Sequence, residues 1–200
     1  EDNSHINKNT LSYTLSENLA NATIEFIQID GQVDPNSPQA VSLKGSELYS
    51  GEYKDITLQN GPKLFNGSIY RVEFSAEDFA TNRAKAIIIQ NLHYDDEAPE
   101  ISISRPINSE QIKSTIITYL ASENLATADV IFKQTSGTID VNSPHRVSLN
   151  GDELNKGVHT DYDLNITSEL ADGGRYTVTI EAFDKADPAF AHPIPEEPTM

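Results

Sequence analysis

The chain has 200 residues and a mass of 22.0 kDa, a length that accommodates one or two domains. Its 14 Lys and Arg face 31 Asp and Glu, for a net charge of −17, which argues against nucleic acid as a partner and against docking on anionic lipid. The absence of cysteine removes disulfides, thiolate zinc sites and cysteine nucleophiles together. With 37% hydrophobic residues a packed core is within reach, yet no apolar run approaches the ~20 residues of a membrane-inserting helix.

In chain order, the local patterns are those of short strands separated by turns. Asp30-Gly31, Asn60-Gly61-Pro62 and Asn66-Gly67 supply turn chemistry, and Tyr70-Arg71-Val72-Glu73-Phe74 alternates apolar with polar, as a strand with one wet face does. Residues 83–93 read as a closing strand centred on Ala86-Ile87-Ile88-Ile89. Tyr94 and the acidic stretch Asp95-Asp96-Glu97-Ala98-Pro99 form a junction, after which Glu100-Ile101-Ser102-Ile103 opens a second series. That series includes the β-branched and aromatic runs 115–119 and 128–132, the turns Asn150-Gly151 and Asp172-Gly173-Gly174, and the alternating Tyr176-Thr177-Val178-Thr179-Ile180. No stretch keeps a helical period. Pro188, Pro193, Pro195 and Pro198 fall where a last strand belongs, which suits an edge or a frayed tail, and the start at Glu1 and Pro/Glu-rich end read as those of an excised piece.

The two series are copies of each other. At a gap-free offset of 106, residues 16–80 match residues 122–186 at 29 of 65 positions, against about 4 by chance on average composition. Ser16-Glu17-Asn18-Leu19-Ala20 returns as Ser122-Glu123-Asn124-Leu125-Ala126, and Asn36-Ser37-Pro38 as Asn142-Ser143-Pro144. In both copies a Leu (Leu64, Leu170) precedes a tight turn and a Tyr that opens the next strand (Tyr70, Tyr176). That spacing predicts a tyrosine corner, with the ring in the core and its hydroxyl bonded back to the turn. The repeated Asp34-x-Asn36-Ser37-Pro38 and Asp140-x-Asn142-Ser143-Pro144 are read as turn-forming loops.

The segments Ser122-Glu123-Asn124-Leu125, 137–145, 149–154 and 176–184 resemble bacterial immunoglobulin-like repeats, modules related in shape to fibronectin type III and to cadherin repeats. The resemblance implies an all-β chain of two tandem immunoglobulin-like antiparallel β-sandwich domains in an elongated arrangement. Residues 1–94 would form the first, 95–99 an acidic linker and 100–200 the second. Subtracting 106 from the strand at 100–103 lands before residue 1, so the first copy either lacks its opening strand or replaces it with residues 1–8. The family's closing loop Asp-x-Ala-Gly-Asn is altered in both copies, to Asp78-Phe79-Ala80-Thr81-Asn82 and Asp184-Lys185-Ala186-Asp187-Pro188. By the resemblance the protein is a non-catalytic spacer or adhesive module of a secreted or cell-surface protein, with neighbouring repeats of the same chain as partners and a cell-surface protein or glycan as a further one.

Three chemistries remain to be weighed. The five histidines do not recur at the repeat offset and no nucleophile elbow, P-loop or Ser/His/Asp order is visible, so an enzyme is not expected. Metal is a stronger candidate. The loops after the second and sixth strands of such a sandwich lie at its N-terminal end, which directs Glu123, Asp184 and Asp187 towards Asp95, Asp96 and Glu97. Six hard carboxylates suit calcium, in a layout similar to cadherin-like junctions; a solvated acidic linker is the alternative. Glu17, Asp78 and Asn82 are the first-copy equivalents. Sugar-binding sandwiches present aromatic platforms, and with no Trp the candidates here are Tyr49 and Tyr53, which keeps open a carbohydrate-binding accessory module of a secreted enzyme. Tyr13/Tyr119, Tyr70/Tyr176 and Phe26/Phe132 recur and are read as core, whereas Tyr94, Tyr162, Phe65, Phe79 and Phe183 are expected to be partly exposed.

Overall fold

A computed structural model describes residues 2–58 and 60–186. The chain divides into two compact units, Glu1–Glu97 and Ala98–Met200. Asp187 and the four tail prolines lie outside the described residues.

In the first unit the strands are β1 (His5–Ile6), β2 (Thr10–Leu15), β3 (Leu19–Gly31), β4 (Gln39–Ser42), β5 (Gly51–Thr57), β6 (Ser68–Asp78) and β7 (Ile87–Tyr94). They form a five-stranded sheet in the order β1-β7-β6-β3-β4 and a two-stranded sheet β2-β5. All pairs are antiparallel except β1 with β7, which run parallel through His5 to His93 and Ile6 to Tyr94. In the second unit come β8 (Ile101–Arg105), β9 (Ile116–Ala121), β10 (Thr127–Gly137), β11 (His145–Ser148), β12 (Gly157–Asp163) and β13 (Gly174–Phe183). Their sheets are β11-β10-β13 and β12-β9-β8, antiparallel throughout. Each unit is an immunoglobulin-like β-sandwich.

Alternation along the strands builds each core. Tyr70 and Val72 on β6 point inward beside Ile24 and Phe26 on β3, and Leu11, Tyr13 and Ile56 of the opposing sheet pack against them. In the second unit Val130 and Phe132 of β10 meet Ile117, Tyr119 and Ala121 of β9, with Ile101 and Ile103 of β8 packed alongside. A fully buried aliphatic or aromatic side chain contributes about 1.5–3 kcal/mol, so these interleaved rows dominate the stability of each unit.

The structure departs from sequence expectation at three places. Residues 5 and 6 do enter a sheet, but beside the closing strand β7 and not beside β2. The run at the start of β7 is core only in part: Ile87 is 63% exposed and Ile88 is exposed too, whereas Ile89 packs on the core and Leu92 and Tyr94 are buried. A bulge shifts the inward phase between Ile89 and Leu92. The register between β6 and β7 shifts between Tyr70 and Val72, and Asn91 adopts φ 54°, so two residues of β7 oppose one of β6 and the inward phase moves. Tyr94 is therefore buried where exposure was expected. Finally, Gly45–Leu48 and Gly151–Leu154 form short 3₁₀ turns in which the Glu47 and Glu153 carboxylates accept the N–H groups of Lys44 and Asn150, each at 2.7 Å. The Tyr13 and Tyr119 hydroxyls donate to the Glu47 and Glu153 carbonyls at 2.9 and 2.6 Å, which ties each turn to the core.

Two glycines hold the turn before the sixth strand close to the third. Gly31 and Gly137 have φ of 77° and 90°, and a Cβ on either would lie 2.2 Å from the carbonyl oxygen of Gly67 or Gly173. Gly137→Ala combines a left-handed backbone with a collision against main chain, so it is expected to destabilise the second unit by about 2 kcal/mol or more, read as a lower denaturant midpoint.

Candidate functional site

In each unit a buried aspartate ties several loops together. Asp34 and Asp140 leave the strands β3 and β10 at the loop that the sequence repeats, and each accepts through Oδ1 the N–H two residues on, from Asn36 at 2.8 Å and Asn142 at 2.9 Å. Oδ2 turns inward to the tyrosine corner. The Tyr70 hydroxyl donates to Asp34 Oδ2 at 2.9 Å and accepts the Phe65 N–H at 2.9 Å. The Tyr176 hydroxyl donates to Asp140 Oδ2 at 2.5 Å and accepts the Ala171 N–H at 2.8 Å. The corner is present in both copies, and its phenol serves as a bridge between two loops. Ser37 and Ser143 complete the clamp by accepting the N–H groups of Gln28 and Gln134 at 2.8 Å.

Burial, then the neighbouring carboxylate, raises the Tyr70 and Tyr176 hydroxyls above the usual phenol range. Asp140 is held well below the usual carboxylate range, first by the Tyr176 hydroxyl and then by His145. His145, with the Ser168 that it meets, is the part of this network that the copies do not share. Its Nε2 lies 2.6 Å from Asp140 Oδ2 and its Nδ1 2.9 Å from Ser168 Oγ. The first copy places Gln39 at the same position, donating to Asp34 Oδ2 at 2.8 Å and to the Lys63 carbonyl at 2.9 Å.

Asp140, His145 and Ser168 thus make up a carboxylate, imidazole and hydroxyl in series, the composition of a nucleophilic triad that the linear sequence conceals. Its geometry points to a loop brace. The His145 and Asp140 side chains are each 3% exposed, whereas a general base must come within hydrogen-bond reach of a proton on the reacting molecule. The same carboxylate oxygen is also committed to Tyr176. The amide in the first copy does an equivalent job with no acid–base chemistry.

The acids proposed for calcium divide between the units. Asp95 and Asp96 belong to the end of the first unit that carries the Asn66-Gly67 turn. The Asp95 N–H donates to the Ile6 carbonyl at 3.0 Å, and the Asp96 N–H to Asn66 Oδ1 at 3.1 Å. The Tyr94 hydroxyl donates to Asp96 Oδ2 at 3.1 Å and is pushed up to about 12, by burial first and then by that carboxylate. Asp95 Oδ1 accepts the Glu97 N–H at 3.3 Å. In the second unit, the Glu100 N–H donates to Ser122 Oγ and the Ala126 N–H to the Phe183 carbonyl. Glu123 and Asp184 therefore flank one end of that sandwich. Asp184 is buried and accepts the Ala186 N–H at 2.6 Å, an Asx turn. Its counterpart Asp78 accepts from Ala80 and Asn82 in the same manner, and these bonds, led by those from Asn82, depress its carboxyl. Glu17, the remaining first-copy acid, is exposed beside β3. Within either unit, among the described residues, no three His, Cys, Asp or Glu side chains group as metal ligands.

Of the two aromatic platform candidates, Tyr49 is exposed, while Tyr53 is engaged. Its ring stacks on Tyr13 with centroids 4.6 Å apart, and its hydroxyl donates to the Ser46 and Tyr49 carbonyls. His159 takes the same place against Tyr119 in the second copy. Among the described residues no helix is long and apolar enough to cross a membrane.

Tyr176→Phe leaves a buried carboxylate oxygen short of a donor and is expected to cost about 1–3 kcal/mol. The depressed Asp140 carboxyl fixes the sign of a pH effect. Its contribution is present above the unfolded value near ~4 and is lost as pH falls through the lower folded value. The difference in Tm between the native protein and Asp140→Asn, followed by calorimetry, is expected to be widest above about pH 5 and to narrow towards pH 2.

No protein-family model matches the chain, and neither does any curated protein. Among solved structures, the chain is similar to the FN1-FN3 domains of chicken CNTN1, at 14% identity and a TM-score of 0.34. The match covers 92% of this chain, which spans 58% of the length of that one.

Proposed function

We propose that this chain is a pair of immunoglobulin-like repeats that spaces or presents other modules of a secreted or cell-surface bacterial protein, without catalysis, and takes part in surface adhesion. Its first partners are neighbouring repeats of the same chain. The observation that carries this reading is what the two copies preserve. The recurring polar side chains, Asp34/Asp140, Ser37/Ser143, Glu47/Glu153 and Tyr70/Tyr176, hold loops and turns in place. The groups that could act on a small molecule, His145 among them, differ between copies. A module kept for its shape repeats its braces; a module kept for a reaction repeats its reactive groups.

A carbohydrate-binding role is the competing reading, and the use of Tyr53 inside its own loop weighs against it. A glycan array probed with the full chain is expected to give no specific signal. A reproducible hit weakened by Tyr49→Ala would overturn the spacer reading in favour of the accessory module.

Calcium is part of the proposal on the strength of the sequence pattern Asp95, Asp96, Glu97, Glu123, Asp184 and Asp187. A cation that binds only the folded state raises Tm with its concentration. Calorimetry in EDTA and then millimolar CaCl₂ is expected to show a rise that MgCl₂ at matched ionic strength does not reproduce. Equal responses to both salts would mean charge screening and would retire the ion.

A further inference from the structure

Three Asn-x-Ser/Thr triplets occur in the sequence, at Asn21, Asn66 and Asn165. This is the acceptor pattern for N-linked glycan transfer, and it serves only where the amide and the hydroxyl two residues on can both be reached from outside. The fold separates the three. Asn21 and Thr23 lie within β3, where Asn21 opposes Glu77 of β6 and Thr23 is held between Ser75 of β6 and Ser42 of β4. At the second triplet, Asn66 Oδ1 accepts the Asp96 N–H at 3.1 Å, and Ser68 is buried with its hydroxyl donating to the Gln32 carbonyl at 2.6 Å. Neither place presents an amide and a hydroxyl together.

The third triplet is arranged differently. Residues 164–173 connect β12 to β13 outside both sheets, and burial alternates along the first part of this loop. Leu164 is buried, Ile166 and Leu170 pack on the core, and the Ser168 hydroxyl meets His145. The residues between them, Asn165, Thr167 and Glu169, are exposed, as is Asp163 at the end of β12. Four polar side chains thus alternate with residues pinned to the domain, so they are displayed on a backbone that is held in place. The Leu164 N–H, donating to the Thr115 carbonyl at 3.3 Å, adds a main-chain anchor. Asn165 bonds to its own neighbour: its Nδ2 donates to the Asp163 carbonyl and its N–H to Asp163 Oδ1, each at 3.1 Å. Both bonds lie at the surface, where water or a protein partner can replace them. The fold does not require this motif, since Gln59 and Gly61 stand at the positions equivalent to Asn165 and Thr167 in the first copy.

We propose that Asn165 is an acceptor for an N-linked oligosaccharide. In the transfer, Asn165 Nδ2 forms a bond to C1 of the reducing-end sugar of a polyprenyl-pyrophosphate oligosaccharide. The C1–O bond to pyrophosphate breaks, its electron pair leaves with the lipid pyrophosphate, and one amide proton passes to a base of the transferase. The exposed row gives that enzyme what it must read. The Thr167 hydroxyl is the hydrogen-bonding group two residues after the acceptor, and the Asp163 carboxylate is an anionic handle two residues before it. The proposal rests on the export that the spacer reading includes, because a transferase with a lipid-linked donor works at the outer face of a membrane.

The test uses the purified full chain, a bacterial oligosaccharyltransferase and a lipid-linked oligosaccharide, with an established acceptor peptide in the same tube and tryptic peptides read by mass spectrometry. This reaction bypasses export, so its failure falls on the acceptor and leaves the spacer reading standing. The expected result is one glycan per chain, carried by the tryptic peptide of residues 157–175. Asn165→Gln and Thr167→Ala are expected to abolish it, Thr167→Ser to retain it, and Asn21→Gln to leave it unchanged. The Tm of each variant before the reaction is expected to match that of the native chain, as suits exposed positions, so loss of the glycan is not loss of the fold. The proposal is overturned if the chain stays unmodified while the acceptor peptide is glycosylated, if the glycan sits on Asn21 or Asn66, or if Thr167→Ala is modified as well as the native chain.

Discussion

A carboxylate buried beneath a loop governs much of this architecture. An ionised group out of water is costly unless every lone pair finds a donor, and Asp34 and Asp140 meet that demand by drawing on parts of the chain that lie far apart in sequence. One oxygen shapes its own loop; the other takes the phenol of a tyrosine 36 residues further on. The same phenol accepts an N–H from the turn before its strand, so two loops at the same end of the third and sixth strands are held to each other. The close approach of Gly31 to Gly67, and of Gly137 to Gly173, is then a geometric requirement of the clamp.

Comparison of the copies separates what this clamp needs from what it tolerates. It needs the aspartate, the serine after it and the tyrosine, which are common to both. It tolerates an amide or an imidazole at the next position, Gln39 or His145, since either presents a nitrogen donor to Oδ2. The imidazole also meets Ser168 at its other nitrogen, so that satisfying the buried charge in the second copy brings a carboxylate, an imidazole and a hydroxyl into series.

What could be read from the sequence was whatever depended on short-range order. Alternation located β6 and β13, turn dipeptides bounded the strands, and the spacing of Leu64 and Tyr70 gave the corner its position. The sandwich followed from the repeat. What could not be read was contact across distance. Asp34 was legible as a turn former because Asn36 is its neighbour, but not as the acceptor of Tyr70; the matched 36-residue interval in both copies was the available signal. Of the run Ala86-Ile87-Ile88-Ile89 only Ile89 packs on the core, and the bulge at Asn91 then moves the inward phase to Leu92 and Tyr94; nothing in an apolar run announces a bulge. The hydrogen bonds of Asp96 to the Tyr94 hydroxyl and of Asp184 to the Ala186 N–H were not legible either, since these partners depend on local folding.

The parallel pairing of β1 with β7 has a mechanical meaning. The chain enters the first unit through β1 and leaves it through β7, and these strands lie side by side pointing the same way. Tension applied at the two ends therefore pulls them in opposite directions along their common axis. The main-chain bonds from Asn3 to Gln90, from His93 to Ser4 and from Asp95 to Ile6, with the His5 and His93 rings stacked 4.4 Å apart, bear that load together in shear. Strands that peel apart break one bond at a time, whereas bonds sheared in parallel must yield at once. The small N-terminal strand thus places a latch where a stretched chain would otherwise begin to open.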